Sequence, residues 1–233
     1  VVAIGSTWRP AGVGAAARYG VVVETQRAKI CGVTRLEDAL LAAELGAWAV
    51  GMVFAPESRR RCSLSEAEAI GAALHRRVEL AGVFVNAPLD EIARISERVG
   101  LTLVQLHGDE GPAFCSEAGR RTGARTIKAA PVRGAFTLHD LERFHTAFHL
   151  LDGHVPGLRG GSGEPFDWSL VSRRRSRVPL IVGGGLNAGN VGEAIAATHP
   201  FAVDVASGVE SAPGIKDPER MRAFLDQVRA VAV

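Results

Sequence analysis

Cysteine is scarce and scattered. The chain has three, Cys31, Cys62 and Cys115, with no C-x-x-C spacing among them. That argues against a disulfide framework or a zinc site, and it points to a reducing compartment, the cytoplasm. An excess of one charge is missing too: 27 basic and 25 acidic residues leave a formal net charge of +2. So small an imbalance draws the chain to neither nucleic acid nor membrane. The runs Arg59-Arg60-Arg61 and Arg173-Arg174-Arg175 are local, and a solvated helix face or loop is the plain account of the second. No apolar run reaches the length that spans a bilayer. What remains is 47% hydrophobic and 22% charged over 233 residues, enough to bury the core of one large α/β domain or two small ones.

Residues 1–26 stand apart from the pattern that follows. They carry Gly5, Pro10, Gly12, Gly14 and Gly20 without sustained periodicity. Val1-Val2-Ala3-Ile4 is too short for a secretory hydrophobic segment, and Arg9 follows it rather than precedes it. The expectation is a loosely ordered N-terminal extension, flexible or not native, with the true start near Val21 to Val23. Its functional alternative is a partner-binding arm. Residues 27–233 are then the working domain.

From Ala28 onward short apolar runs alternate with amphipathic segments, the pattern of parallel β/α units. Strands are expected at 28–31, 49–54, 80–85, 102–106, 126–129, 148–151, 179–182 and 201–205. Thr34-Arg35-Leu36-Glu37 and Ser63-Leu64-Ser65-Glu66 read as capping boxes opening the first two helices. Asp217 is a natural N-cap for the last helix. A short helix is expected after the eighth strand, and another near Phe166–Arg174. Eight such units over about 200 residues make a single closed (β/α)8 TIM barrel, with a doubly wound open sheet as the competing fold. Cys31, Arg60, His107, Asp152, Gly183 and Ser207 all lie at or just past C-terminal strand ends. A barrel gathers those positions at one mouth, where its active site sits; an open sheet spreads them along an edge.

Chemistry concentrates at that mouth. A thiol, Cys31, and a carboxylate, Asp152, end different strands and can serve as base and acid toward one substrate. Gly183-Gly184-Gly185 follows the seventh strand, and Ala206-Ser207-Gly208 the eighth. Glycine lets backbone N–H groups approach an anion closely, and these two loops are where a barrel commonly binds phosphate. The sequence therefore predicts a sugar-phosphate isomerase.

Further motifs follow in order: Lys29-Ile30-Cys31-Gly32, Val53 to Arg60, Gly82-Val83-Phe84-Val85-Asn86, Gln105-Leu106-His107-Gly108-Asp109-Glu110, Leu151-Asp152 and Gly160-Gly161-Ser162-Gly163. Phe166-Asp167-Trp168, Gly184 to Val191 and Asp204 to Glu210 complete the set. Across residues 28–231 the chain resembles the phosphoribosylanthranilate isomerases of tryptophan biosynthesis, themselves (β/α)8 barrels. The resemblance implies an Amadori rearrangement of N-(5-phosphoribosyl)anthranilate. Asp152 would protonate the ribose ring oxygen and open the ring to an iminium; Cys31 would then remove the C2′ proton. Arg60, within the run 59–61, would pair with the anthranilate carboxylate, where a planar fork suits a planar anion. His107 would border the ring or the phosphate, and Asp204 would contact substrate hydroxyls. Gly160–Gly163 would be a mobile loop over the ligand. No metal or organic cofactor is implied, because the substrate's amine is the electron sink. The implied partner is the small phosphorylated substrate, with no nucleic acid and no membrane, and the chain would be a monomer or a homodimer.

Two demands follow. A free thiol of pKa near 8.5 is about 3% ionised at pH 7, so half-ionisation needs a fall to about 7, an effect of about 2 kcal/mol. Asp152 must hold a proton at neutral pH. Ala206 stands where that family usually has a hydroxyl residue, and Ala188 where it often has proline. Two alternatives stand beside this. One is the histidine-pathway or dual-substrate isomerase, which uses paired phosphate sites and aspartates on strands one and five. Here strand one ends in Cys31, strand five in Lys128-Ala129, and the third-unit turn Asn86-Ala87-Pro88 lacks glycine. The other is a catalytically silent phosphate-binding barrel.

Overall fold

The structure, a computed structural model, describes residues 26–132, 134–153 and 166–231. The expected extension, apart from Gln26, and the Gly160–Gly163 loop lie outside these. Eight parallel strands close into a barrel: β1 (Arg27–Cys31), β2 (Ala49–Val53), β3 (Glu79–Phe84), β4 (Leu103–Leu106), β5 (Arg125–Val132), β6 (Phe148–Gly153), β7 (Leu180–Val182) and β8 (Ala202–Val205). Closure is made by β8 on β1, from Arg27↔Ala202 to Ile30↔Val205. Gln26, buried just before β1, donates its amide to the Pro200 carbonyl at 2.9 Å. The open-sheet alternative is thereby set aside.

Side chains alternate between strand faces, and two apolar layers result. Ile30, Val50, Leu80, Val104, Leu151 and Val203 belong to the layer packed under the helices. Ala49, Ala81, Leu103, Ile127, Leu150, Ile181 and Ala202 fill the barrel. The same alternation points Cys31, Gln105, Asp152 and Asp204 inward. Lys29 pairs in register with Ala49, while Gln105, Asp152 and Asp204 each lie two residues past an inner-layer residue.

The helices are α1 (Leu36–Glu44), α2 (Leu64–Leu74), α3 (Leu89–Val99), α4 (Pro112–Thr122), α5 (Ala135–Leu141), α6 (Val191–Thr198) and α7 (Pro218–Ala230). Among the described residues no helix is long and apolar enough to cross a membrane. Ser63 and Asp217 cap as expected, accepting from Glu66 N and from Glu219 N and Arg220 N.

The first capping box does not form. Arg35 is the N-cap of α1, and the Thr34 hydroxyl donates instead to the Gly214 carbonyl at 2.6 Å. The Leu36 amide is satisfied by Glu66 Oε1 of α2 at 2.6 Å. One carboxylate thus ties two helices together, and a local motif loses to tertiary partners. Near Phe166–Arg174 the chain forms a 3-10 helix, Trp168–Arg173, rather than an α-helix. After β8 only a single 3-10 turn appears, Ser207–Val209. A small antiparallel hairpin follows it, β9 (Glu210–Ala212) and β10 (Ile215–Lys216). Strand β5 outruns the expected Thr126–Ala129 because its end pairs with β6 through Pro131↔Asp152 and Val132↔Gly153. That pairing fixes the backbone that carries Asp152.

Candidate active site at the barrel mouth

A cavity opens to solvent at the C-terminal ends of the strands. Its lining includes Cys31 from β1, Arg60 from the loop after β2, Gln105 and His107 at the end of β4, Asp152 on β6 and Asp204 on β8. Of the glycine-loop residues, Gly184, Gly185, Ala206 and Ser207 line it. Gly183 and Gly208 do not; they sit behind, where the loops touch. A Cβ on Gly208 would stand 2.0 Å from the Leu186 carbonyl oxygen, and one on Gly184 would stand 1.9 Å from the Gly153 amide nitrogen. Only glycine allows the loops after β6, β7 and β8 to close up this far. Asn190 fixes the β7 loop by accepting from the Asn187 amide at 2.8 Å and donating to the Gly185 carbonyl at 3.0 Å.

Cys31 lies in a set of buried charges. The fully buried Lys29 ammonium holds Asp204 Oδ1 at 2.7 Å. Gly51, opposite on β2, has no side chain there: a Cβ would be 2.9 Å from Cys31 Sγ and 3.1 Å from Lys29 Nζ. Thiol and ammonium therefore meet in a space that β2 leaves open. Burial alone would lower the Lys29 pKa, but Asp204 and Cys31 reverse this and hold it above the usual lysine range. For Cys31, burial and then the Asp204 charge push the thiol up, while Lys29 and Lys216 oppose them. The thiol therefore stands above its ordinary value in this state, not below it, and Lys29 is the neighbour that favours its ionised form most. Burial raises Cys62 to about 12 and Cys115 to about 11, so neither competes as a nucleophile or base.

Arg60 is placed by a carboxylate from the unforeseen hairpin. Its Nε and Nη2 grip Glu210 at 2.9 and 2.8 Å. Lys216 Nζ joins Glu210 at 2.9 Å, the Cys31 carbonyl at 2.6 Å and the Ala206 carbonyl at 3.2 Å. Burial works against the Glu210 carboxylate, yet Arg60 and Lys216 outweigh it and hold its pKa below the ordinary range. Arg59 and Arg61 are exposed and absent from the cavity, which singles out Arg60 from the run.

On the far side, Gln105 Nε2 lies 3.1 Å from His107 Nδ1. An amide nitrogen only donates, so Nδ1 accepts and the ring proton sits on Nε2. That Nε2 faces Asp152 Oδ2 at 3.4 Å. Below, Glu110 accepts from the Asn86 and Gly108 amides at 2.8 Å each and from Lys128 at 2.9 Å, which locks the loops after β3 and β4. Among the described residues no cluster of histidine, cysteine or acidic side chains is arranged to hold a metal ion.

Residues 28–227 match the family described as N-(5'phosphoribosyl)anthranilate (PRA) isomerase. The chain belongs to the phosphoribosylanthranilate isomerase family. It is 49% identical to the isomerase of Azotobacter vinelandii over 205 residues, 87% of this chain and 97% of that protein. The crystal structure of the Thermus thermophilus phosphoribosyl anthranilate isomerase superposes with a TM-score of 0.79 at 41% identity, over 87% of this chain and 98% of that one. A further isomerase structure, in complex with reduced 1-(o-carboxyphenylamino)-1-deoxyribulose 5-phosphate, matches with a TM-score of 0.75 at 39% identity, again over 87% and 98%. The fold and family expected from the motifs are those found.

Lys29, Gln105, Glu210 and Lys216 were given no role by the sequence reading, although the first three lie inside its motifs. Strand parity with Cys31 and His107 was the available signal for Lys29 and Gln105. For Glu210 and Lys216 there was none, since the hairpin between them has no regular alternation.

Proposed function

We propose that this cavity isomerises N-(5′-phosphoribosyl)anthranilate to 1-(2-carboxyphenylamino)-1-deoxyribulose 5-phosphate, with Asp152 as general acid and Cys31 as general base. The observation that carries this is the arrival of Cys31 and Asp152, from β1 and β6, in one cavity that Arg60 and the β7 and β8 loops also line. The phosphate is held by backbone amides of Gly184, Gly185, Ala206 and Ser207, with Gly183 and Gly208 keeping those loops close. The anthranilate carboxylate pairs with the Nη edge of Arg60 that Glu210 leaves open. Asp204, its Oδ1 taken by Lys29, offers Oδ2 to a substrate hydroxyl.

Asp152 gives its proton to the ribose ring oxygen as the C1′–O bond breaks, and the amine lone pair closes the iminium. The His107 Nε2–H then faces a carboxylate and stabilises it. The Cys31 thiolate takes the C2′ proton, the electron pair forms the C1′=C2′ bond, and the iminium nitrogen becomes the neutral amine of an enolamine. Tautomerisation to the C2′ ketone follows. Lys29 supports the thiolate while this proton is away. The substrate is the one small-molecule partner, the chain works as monomer or homodimer, and the compartment is the cytoplasm, in keeping with three free cysteines.

The histidine-pathway alternative needs a second phosphate site. The Asn86 amide, in the turn that would have to help form it, is already bound to the Glu110 carboxylate at 2.8 Å, a poor setting for another anion. Loss of substrate fluorescence on mixing with the purified chain tests the activity, and no loss from folded protein would move the weight to that substrate or to a silent barrel. Arg60→Lys replaces a fork with a point charge. It is expected to raise KM by about 10- to 100-fold, the worth of one or two charge-assisted hydrogen bonds, with kcat changed less; steady-state kinetics reads the split.

A further inference from the structure

Four buried side-chain atoms have no hydrogen-bond partner among the described residues: Ser96 Oγ, Gln105 Oε1, Trp168 Nε1 and Arg174 Nε. Of their residues, only Gln105 lines the cavity. It is 1% exposed and points inward from β4, two residues past Leu103 of the barrel interior. Its other amide atom is committed, donating to His107 Nδ1 at 3.1 Å. The carboxamide is therefore held in one orientation, and Oε1 is left a bare, buried acceptor in a side chain that lines the site. A buried carbonyl oxygen without a donor is costly and uncommon in a folded chain. An acceptor kept that way beside the proposed acid is explained if a bound molecule supplies the missing donor.

We propose that Gln105 is a substrate-binding residue, its Oε1 accepting a hydrogen bond from an N–H or O–H donor of the phosphoribosylamine half of the substrate. The role holds only if this cavity is the substrate site, as argued above. The chain Gln105 → His107 → Asp152 then has two functions. It fixes the tautomer that presents an N–H to Asp152, and it reports the seating of the sugar to the same three side chains. Such a site discriminates against analogues that lack the donor, because binding them leaves Oε1 unpaired.

Gln105→Met has about the same volume and neither polar atom. Three quantities decide the matter: kcat/KM, the Kd of reduced 1-(o-carboxyphenylamino)-1-deoxyribulose 5-phosphate, and the Tm of the free protein. The expected result is a fall of at least about tenfold in kcat/KM and a Kd weakened by a similar factor, with the free protein's Tm unchanged or higher. Stability is spared because the substitution also removes an unpaired acceptor. A Kd unchanged from wild type overturns the proposal, and so does a Tm that falls in step with activity, which marks Gln105 as scaffold. A role only through His107 is separated by repeating the substitution on His107→Ala. The proposal expects a further loss of binding there, and no further loss contradicts it. Asp152→Asn run alongside keeps the two claims apart. If that variant turns over at the wild-type rate, the cavity is not the site and Gln105 falls with it. If Asp152→Asn is impaired while Gln105→Met binds normally, only the Gln105 assignment fails.

Discussion

Asp152→Asn is expected to lower kcat by about 10²- to 10⁴-fold, the usual worth of a positioned general acid. The amide keeps the size of the carboxyl group and can still pair with His107 Nε2–H through its oxygen, so the cavity is preserved. It has no proton to give at neutral pH, and ring opening must then rely on water. KM should change little, because Asp152 is not assigned to the phosphate or the carboxylate of the substrate. A loss shared between kcat and KM, or one accompanied by weaker binding of the reduced product, would instead make Asp152 a binding residue.

Lys29→Met should damage both the fold and the chemistry. The pair with Asp204 is buried, Lys29 fully and Asp204 nearly so, at 2.7 Å. Removing one partner of such a pair leaves a charge stranded, at about 3–5 kcal/mol. Asp204 keeps some access to solvent, so the lower end applies, about 3 kcal/mol. For a chain of this size that corresponds to about 6–12 °C in Tm. Activity falls as well, because Cys31 loses the ammonium that most favours its thiolate. Adding Asp204→Asn separates the two effects, with Asp204→Asn alone as the control because that side chain also meets the substrate. Without a stranded charge the double variant should regain most of the lost Tm, while turnover stays below that of Asp204→Asn alone. Recovery of turnover together with Tm would mean that Lys29 only braces the barrel. Thermal melts and fluorescence kinetics on Lys29→Met, Asp204→Asn and the double variant read both quantities.

Most of the fold was legible because β/α units announce themselves locally. Apolar runs of four to six residues, each followed by an amphipathic segment, gave all eight strands in order, and the positions after each run gave the mouth. What failed was decided at long range. Thr34 has the local sequence of a capping box, yet its hydroxyl is taken by Gly214, 180 positions away. The segment after β8 shows a turn signal, Pro213-Gly214, but nothing that foretells a hairpin carrying two buried charges. A lysine is among the residue types least often buried, so Lys29 was passed over within a motif otherwise read closely. Cys31 and Asp152 stood out because they end strands, and the fold brings both to the lining of one cavity. Their surroundings did not: Cys31 is set in a buried wall beside Asp204 as well as Lys29 and Lys216, and burial and Asp204 outweigh the two lysines and push the thiol up.

The most direct test of the central claim, that a thiolate at the end of β1 takes the C2′ proton, is a single-turnover measurement on Cys31→Ser. Phosphoribosylanthranilate fluorescence is followed with enzyme in excess, and binding of the reduced product confirms that the variant is folded. Serine is nearly the same size, but its hydroxyl is far too weak an acid to ionise at neutral pH. The account predicts normal binding of the reduced product and a decay slower than wild type by about 10²- to 10⁴-fold. A folded variant that binds the product and consumes substrate at the wild-type rate would show that the base lies elsewhere.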